Sequence, residues 1–596
     1  MSERSGPKTP SLVSIDVGSV NTRAHFFDAV EGRYRFLASG EAPTTVGAPS
    51  FDLNVGVLAA LEQLEELTGR PLLTERGLLI SADEDDAVGA NAVAATYSSG
   101  PPIKVVTVGL LEAVSLASVN KLVNTSYCQI TESISLGDRR RPETVIDAIH
   151  QNLPDLIVLA GGTNRGASRS VIRMANYLAL ALTLIPEKER PDLLFVGNEN
   201  LSEEIEALLG GQTRVHFAPN IRPSLDLENL GPAELALAEI LYEIQAERLG
   251  GLELLQDLSG DPLMPTAKAF GRVVRFLSTV IDPPKGMLGV DLGASSTTVA
   301  AAINGDLYLS VHPGVGVGGG LRGMLRETHL SQIMRWLPAE ISEDEVLDYL
   351  YNKPIYPNSL PVTAAELAIE QAAARQALRL AVGKSLSNMP AQGIYPLPGT
   401  VPWFDRILVS GSALTQAPNL QDSLMMTLDA VQPVGIATII LDQNNLAPAM
   451  GASADVNPLL AVQVLESNAF VNLGTVISPV GPARSGSTIM RMQMVQDGEK
   501  GPVLDIKQGG LYTVDLPQGV VADLYVQPLL SIDIGLGPGR GGWVRRVVGG
   551  AFGLIIDARG RPIQVPHQPE RRQAALEAWQ QTLAPHPLAQ PLYEED

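Results

Sequence analysis

The chain of 596 residues has one cysteine, Cys128, so no disulfide can form within it. A single thiol among apolar neighbours reads as a packed small side chain. Basic residues are short: 43 Lys and Arg stand against 65 Asp and Glu, a formal net charge of −22. That balance disfavours nucleic-acid backbones and anionic membrane surfaces as partners, while leaving room for one local basic pocket. The seven histidines are scattered and form no His-x-x-x-His pair, which gives a zinc site little support. The longest apolar run, around Tyr177–Ile185, is too short to cross a bilayer. Met1 to Pro10 is polar and lacks the apolar core of a signal peptide. These absences predict a cytoplasmic protein with no membrane span. Two familiar motifs are also missing. Gly383-Lys384-Ser385 ends like a P-loop, but Leu378 stands where that loop needs glycine. Asp147–His150 does not fit the Asp-x-His-x-x-Gly signature of cobalamin-binding domains, and His150 reads as a helix-surface residue.

What is present is a pair of short stretches about 275 residues apart: Ile15-Asp16-Val17-Gly18-Ser19-Val20-Asn21-Thr22-Arg23 and Val290-Asp291-Leu292-Gly293-Ala294-Ser295-Ser296-Thr297-Thr298. Each sits between apolar runs and reads as strand, tight turn, strand. Glycine lets the backbone approach a ligand closely. Hydroxyls and turn amides can donate to phosphate oxygens. The aspartates would face a metal ion or its waters. The pair resembles the phosphate-1 and phosphate-2 loops of the actin, hexokinase and heat-shock chaperone superfamily of ATPases. That resemblance implies ATP with magnesium as cofactors. Asp16 and Asp291 would orient the metal, and Gly18, Ser19, Asn21, Thr22, Gly293, Ala294, Ser295 and Thr297 would contact nucleotide. Arg23 reads equally as a phosphate contact or a solvated strand end.

Length suggests about four domains at ~150 residues each. Strands are expected at 12–16, 22–28 and 34–40, a helix at 52–68, and a further strand at Gly77–Ile80 running into Asp83-Glu84-Asp85-Asp86. One of these carboxylates, Asp83 foremost, is a candidate to position an attacking water; a solvated acidic loop is the alternative. Residues 103–222 alternate five strands with four helices, which predicts a doubly wound parallel sheet. Residues 233–281 read as helical. Lobe II follows, with the capping pattern Thr363-Ala364-Ala365-Glu366. From about 468 the pattern turns to alternating apolar residues, a small β domain with a helix near Glu570–Leu583. The fold class is thus α/β: a two-lobed actin-like ATPase fold with an inserted doubly wound domain and a C-terminal β domain. Its segments are 1–102, 103–222, 223–285, 286–465 and 466–596. No internal repeat is evident beyond the two turns.

Three further glycine-rich segments are candidates. Strand Arg406–Val409 followed by Ser410-Gly411-Ser412 resembles the superfamily's adenosine motif, with Gly411 and Ser412 as contacts and a plain strand-to-helix turn as the alternative. Gly161-Gly162-Thr163-Asn164 ends a strand before a helix, where amides favour anions; tight packing would explain it equally. Gly314 to Gly320 matches a dinucleotide fingerprint loosely. Ala449–Ala454 resembles the small-residue helix that joins the two lobes.

Taken together, IDVGSVNTR, VLAGGTN (Val158 to Asn164), VDLGASSTT and the C-terminal GLIIDARGRPI with Trp579 resemble the glutamate mutase L family over nearly the whole chain. The family takes its name from genes beside adenosylcobalamin-dependent glutamate mutase. The resemblance implies an accessory ATPase, a chaperone or reactivating factor with a cobalamin-dependent mutase as partner, and not an isomerase. Small residues are expected after Ile80, where Asp83 to Asp86 stand instead. Two other readings stay open: a structural or assembly protein that self-associates as actin-like folds do, and a small-molecule kinase.

Overall fold

The computed structural model describes residues 11–75, 79–81, 88–259, 263–281, 284–390, 399–529 and 531–583. Asp83 to Asp86 therefore lie outside the described residues. The chain forms two compact units. The first takes in residues through Asp28, Leu37–Ala269 and Leu309–Pro313; the second takes in Ala29–Phe36, Phe270–Tyr308 and the chain from Gly314 onward.

The first unit, apart from the Ala29–Phe36 tip of β2 and β3, is built on β1 (Leu12–Val17), β2 (Asn21–Val30), β3 (Arg33–Pro43), β4 (Ala92–Tyr97) and β10 (Met264–Pro265), in the order β10-β4-β1-β2-β3. β1 runs antiparallel to β2 and parallel to β4, and β4 parallel to β10. Helix Leu53–Thr68 covers this sheet. Its side chains Leu53, Val57, Ala60, Leu61 and Leu64 recur at helical spacing and are buried. Asp52 caps its start by accepting from Asn54 N, and Gly69, at φ 66°, ends it with its N–H on Glu65 O. Burial of each leucine there is worth about 1.5–3 kcal/mol.

Between β4 and β10 the chain leaves this sheet and builds another. β5 (Ile103–Gly109), β6 (Cys128–Ser135), β7 (Leu156–Leu159), β8 (Asp192–Phe195) and β9 (Val215–Phe217) pair in parallel in the order β6-β5-β7-β8-β9. Helices alternate with these strands where the apolar periodicity places them, for instance Pro142–Asn152 and Arg169–Thr183. Cys128 is 1% exposed, and burial, with Asp155 nearby, pushes its thiol above its ordinary range, the environment of a packed side chain.

A second sheet, which belongs to the second unit except for Leu309–Pro313, repeats the first. β11 (Met287–Leu292), β12 (Ser296–Ile303), β13 (Asp306–Pro313), β14 (Arg406–Ser410) and β15 (Gly435–Leu441) follow the order β13-β12-β11-β14-β15. β11 is antiparallel to β12 and parallel to β14, and β14 parallel to β15. The internal repeat is thus far larger than the two turns. This duplicated α/β arrangement is the one implied by the resemblance to actin-like ATPases. The sequence conceals it because the small-residue strand β4 stands where no strand was expected. Leu79, in the strand expected at Gly77–Ile80, makes only an isolated bridge to Leu73.

The C-terminal segment divides. β16 (Val471–Ser478), β22 (Leu554–Asp557) and β19 (Leu511–Val514) extend the second unit's sheet beyond β15. β17 (Thr488–Gln496), β18 (Glu499–Lys507), β20 (Val521–Pro528) and β21 (Gly542–Val548) form a separate antiparallel sheet in the order β18-β17-β20-β21. Helix Ala364–Ser385 starts with the expected capping box, Thr363 with Glu366, and buries Ile369, Ala372, Ala373 and Leu378. No helix of the described residues is long and apolar enough to cross a membrane.

The DARGR string at the end of β22 is a buried charge network. Arg559 donates to Asp557 Oδ1 at 2.8 Å and Oδ2 at 2.9 Å and to Asp429 Oδ1 at 2.6 Å. Arg561 donates to Asp557 Oδ2 at 3.0 Å and Ser478 Oγ at 2.8 Å, and Arg375 to Asp429 Oδ2 at 2.8 Å. Burial alone would raise the Asp557 carboxyl, but Arg559 and Arg561 outweigh it and hold the group well below the usual carboxylate range.

Candidate functional site

The two aspartate turns share one backbone plan. Gly18 N donates to Asn21 O at 3.0 Å, and Gly293 N donates to Ser296 O at 2.9 Å. A Cβ on either glycine would lie 2.8 Å from that same carbonyl oxygen, so neither position admits a side chain without a shift. The strand that follows each hairpin ends in proline, Pro43 or Pro313. The next residue closes the loop: Thr44 N donates to Val20 O at 2.7 Å and Gly314 N to Ser295 O at 2.9 Å.

Side chains at the turns fall into two groups. Thr22 and Thr297 are fully buried. Thr22 Oγ1 lies 2.9 Å from Thr44 Oγ1, and Thr297 Oγ1 donates to Val315 O at 2.8 Å. These buried hydroxyls bond within the loops they belong to. Ser19 and Ser295 are half-buried, and among the described residues their hydroxyls have no hydrogen-bond partner. Ala294, also half-buried, contributes its carbonyl to Gly318 N at 2.8 Å and Gly320 N at 2.9 Å. Asn21 donates to Glu41, and Arg23 pairs with the same carboxylate at 3.2 Å.

Asp16 is 7% exposed, and its Oδ1 accepts from Thr96 Oγ1 at 2.6 Å and Thr266 Oγ1 at 2.9 Å. Thr96 sits opposite Asp16 in the β1–β4 register. Sequence reading missed Thr96 and Thr266, because hydroxyls so far along the chain carry no local signal. In the second unit the residue opposite Asp291 is Ser410. Its Oγ donates to Asp442 Oδ2 at 3.2 Å. Asp442, also unforeseen, is fully buried and caps helix Ala447–Val456 by accepting from Leu446 N at 2.7 Å and Ala447 N at 2.8 Å.

Gly411 follows directly at φ 101°, and a Cβ there would lie 2.2 Å from Leu292 O. The turn at Gly411 and Ser412 is therefore packed against the end of β11, beside the second aspartate turn. Asn445 Oδ1 accepts from Gly411 N at 3.0 Å. The Gly314–Gly320 loop is not a dinucleotide fingerprint. A Cβ at Gly316 would lie 2.6 Å from Ala294 O, so its glycines serve close packing on the second turn. Nor do Gly161 to Asn164 open a helix: the helix starts only at Arg169, and Asn164 Oδ1 and Gly162 O accept from Asn220 Nδ2 at 2.7 and 3.0 Å. In helix Ala447–Val456 the small residues Ala447, Ala449, Gly451, Ala452 and Ser453 are buried.

Among the described residues no group of three or more His, Cys, Asp or Glu is placed to hold a metal ion by itself. Each turn instead offers one aspartate, a glycine-lined approach and a serine hydroxyl. That donor set suits a cation that arrives with phosphate and water ligands.

A family model described as MutL protein matches residues 12–469. Protein MutL of Clostridium tetanomorphum is 25% identical over 298 residues, 49% of this chain and 58% of that protein, so the chain spans less than two thirds of this relative's length. Among solved structures, a nucleotide-free diol dehydratase-reactivating factor is 12% identical, with 77% of this chain and 100% of that one covered at a TM-score of 0.28. A xylulose kinase from Bifidobacterium adolescentis is 12% identical, with 77% and 94% covered at a TM-score of 0.27. Likenesses this weak carry no argument; the fold assignment rests on the two matching sheets.

Proposed function

The chain belongs to the MutL protein family, and on that footing we propose that it is an ATP-binding, slowly hydrolysing accessory protein for an adenosylcobalamin-dependent mutase. One observation carries the nucleotide reading: two hairpin turns with the same glycine-to-carbonyl bond, at 3.0 and 2.9 Å, each bearing an aspartate. A closing bond of this kind is common to tight hairpins, but the two also match in the contact that closes each loop and in strand order.

In this reading the turn amides with Ser19 and Ser295 donate to phosphate oxygens. Asp16 and Asp291 orient the water shell of magnesium. Gly411 and Ser412 face the adenosine end. Thr22 and Thr297 keep the turns in shape, and Thr96 with Thr266 fixes the direction of the Asp16 carboxylate. Magnesium, when bound with ATP, neutralises phosphate charge. Asp83 remains the candidate for placing the attacking water. The mutase as partner comes from the glutamate mutase L resemblance, and binding and release of nucleotide would switch the chain's hold on it.

Phosphate release from Mg–ATP by the full chain tests this reading. Slow turnover is expected, lowered at least tenfold by Asp16→Asn or Asp291→Asn and altered by the mutase. Turnover unmoved by both substitutions contradicts the site; turnover and affinity indifferent to the mutase contradict the partner.

A further inference from the structure

The tip of the β2–β3 hairpin, Ala29–Phe36, belongs to the second unit. Tyr34 fastens it there. This side chain is 3% exposed; its backbone N–H donates to Gln463 Oε1 at 2.7 Å, and its hydroxyl accepts from Asn457 Nδ2 at 2.8 Å. Strand alternation sends Arg33 and Arg35 to the opposite face from Tyr34 and to the same face as each other. Both line a cavity of about 700 Å³, together with Phe36, Asn444, Leu459 and Asn468.

Among the described residues neither guanidinium has an ion-pair or hydrogen-bond partner. Glu466 also lines the cavity but pairs with neither arginine. In a chain of net charge −22, two arginines without a carboxylate partner make this cavity locally basic. Guanidinium forks match carboxylate and phosphate oxygens. The amides of Asn444 and Asn468 add donors, and Phe36 and Leu459 supply an apolar wall. The volume falls within the roughly 300–1,000 Å³ of small-molecule sites.

We propose that this cavity binds a small organic anion, a phosphate or carboxylate group joined to an apolar body. Asn444 stands between Asp442 and Asn445, the residues that hold Ser410 and Gly411, so one wall of the cavity is continuous with the loop behind the Gly411 turn. The inference does not depend on ATP binding at the aspartate turns.

Calorimetric titration of the full chain with phenyl phosphate, and separately with phenylsuccinate, tests it. Saturable binding of at least one probe is expected, undiminished by excess Mg–ATP and weakened at least tenfold in an Arg33→Ala, Arg35→Ala double variant. Leu459, 56% exposed, can be changed without touching the core, and Leu459→Asp is expected to weaken the same binding while the melting temperature holds. Binding of neither probe overturns the proposal. So does binding that these variants leave unchanged, binding that Mg–ATP displaces, or capture of a poly-glutamate peptide in place of both small anions.

Discussion

In the first unit Asp16 rests on two hydroxyls, Thr96 at 2.6 Å and Thr266 at 2.9 Å. In the second unit the register position of Thr96 is held by Ser410, whose hydroxyl turns to Asp442 at 3.2 Å. The backbone of the two turns is nevertheless the same to within 0.1 Å in the glycine bond, 3.0 against 2.9 Å. What the units share is a loop that brings N–H groups and a missing Cβ to one place. What differs is the partner of the hydroxyl opposite each aspartate in the register: Thr96 donates to Asp16, Ser410 to Asp442. A function assigned to the pair must lie in the shared part, while the local supports decide how firmly each aspartate is aimed.

The largest separation between the units comes from the Asp557 network, which only the second unit contains. Arg559→Met would leave Asp557 with Arg561 alone and Asp429 with Arg375 alone, a buried network short of one positive charge, at a cost of about 3–5 kcal/mol. Denaturant unfolding with hydrogen exchange should show that loss in the second unit and an unaltered first unit. Equal loss in both would mean that they do not unfold separately.

Gly18→Ala and Gly293→Ala sharpen the likeness. Each new Cβ meets a carbonyl oxygen at 2.8 Å, so each should cost about 2 kcal/mol, and by the same amount within error. Thermal unfolding measures both, and unequal costs would show that the loops are not equivalent.

Acid separates the units again. Burial, with Arg23 beside it, lowers His25 in the first unit to about 3. An unfolded histidine takes its proton near pH ~6.5, so the unfolded state binds the extra proton between that pH and about 3. The first unit should therefore lose stability as pH falls through that window, by up to about 1.4 kcal/mol per unit. Asp557 behaves differently. Its depressed carboxyl contributes fully above ~3.9 and loses that contribution only as pH falls further. Hydrogen exchange at pH 7, 6 and 5 should show the first unit weakening first, and His25→Phe should flatten its slope.

How much of this was legible in the sequence depends on the range of the interactions. The turns and the alternation of β5–β9 with helices are written locally, in apolar periodicity, caps and glycines. The repeat was not, since β4 is Ala-Val-Ala-Ala-Thr-Tyr, a short strand whose three alanines dilute the strand signal of Val, Thr and Tyr, and which is buried on both faces and so lacks alternation. Thr96, Thr266, Asp442 and Asn445 were invisible for a related reason. Each acts on a partner brought close by sheet register or by packing of distant segments. That Thr22 and Thr297 face inward was invisible too, since only the register reveals it.

The smallest expected stability effect is at Thr266. Thr266→Val removes one hydroxyl bond to the Asp16 carboxylate and should cost about 1.5 kcal/mol, together with a severalfold weaker nucleotide affinity. No change in either would mean that Thr96 alone directs Asp16.

The central claim is that both aspartate turns serve one nucleotide, and titration calorimetry with ATP and magnesium on the wild type, Asp16→Asn and Asp291→Asn tests it most directly. The account predicts one ATP per chain, with affinity reduced at least tenfold by either substitution alone. No binding to the wild type, or a loss confined to one substitution while the other leaves affinity untouched, would contradict it.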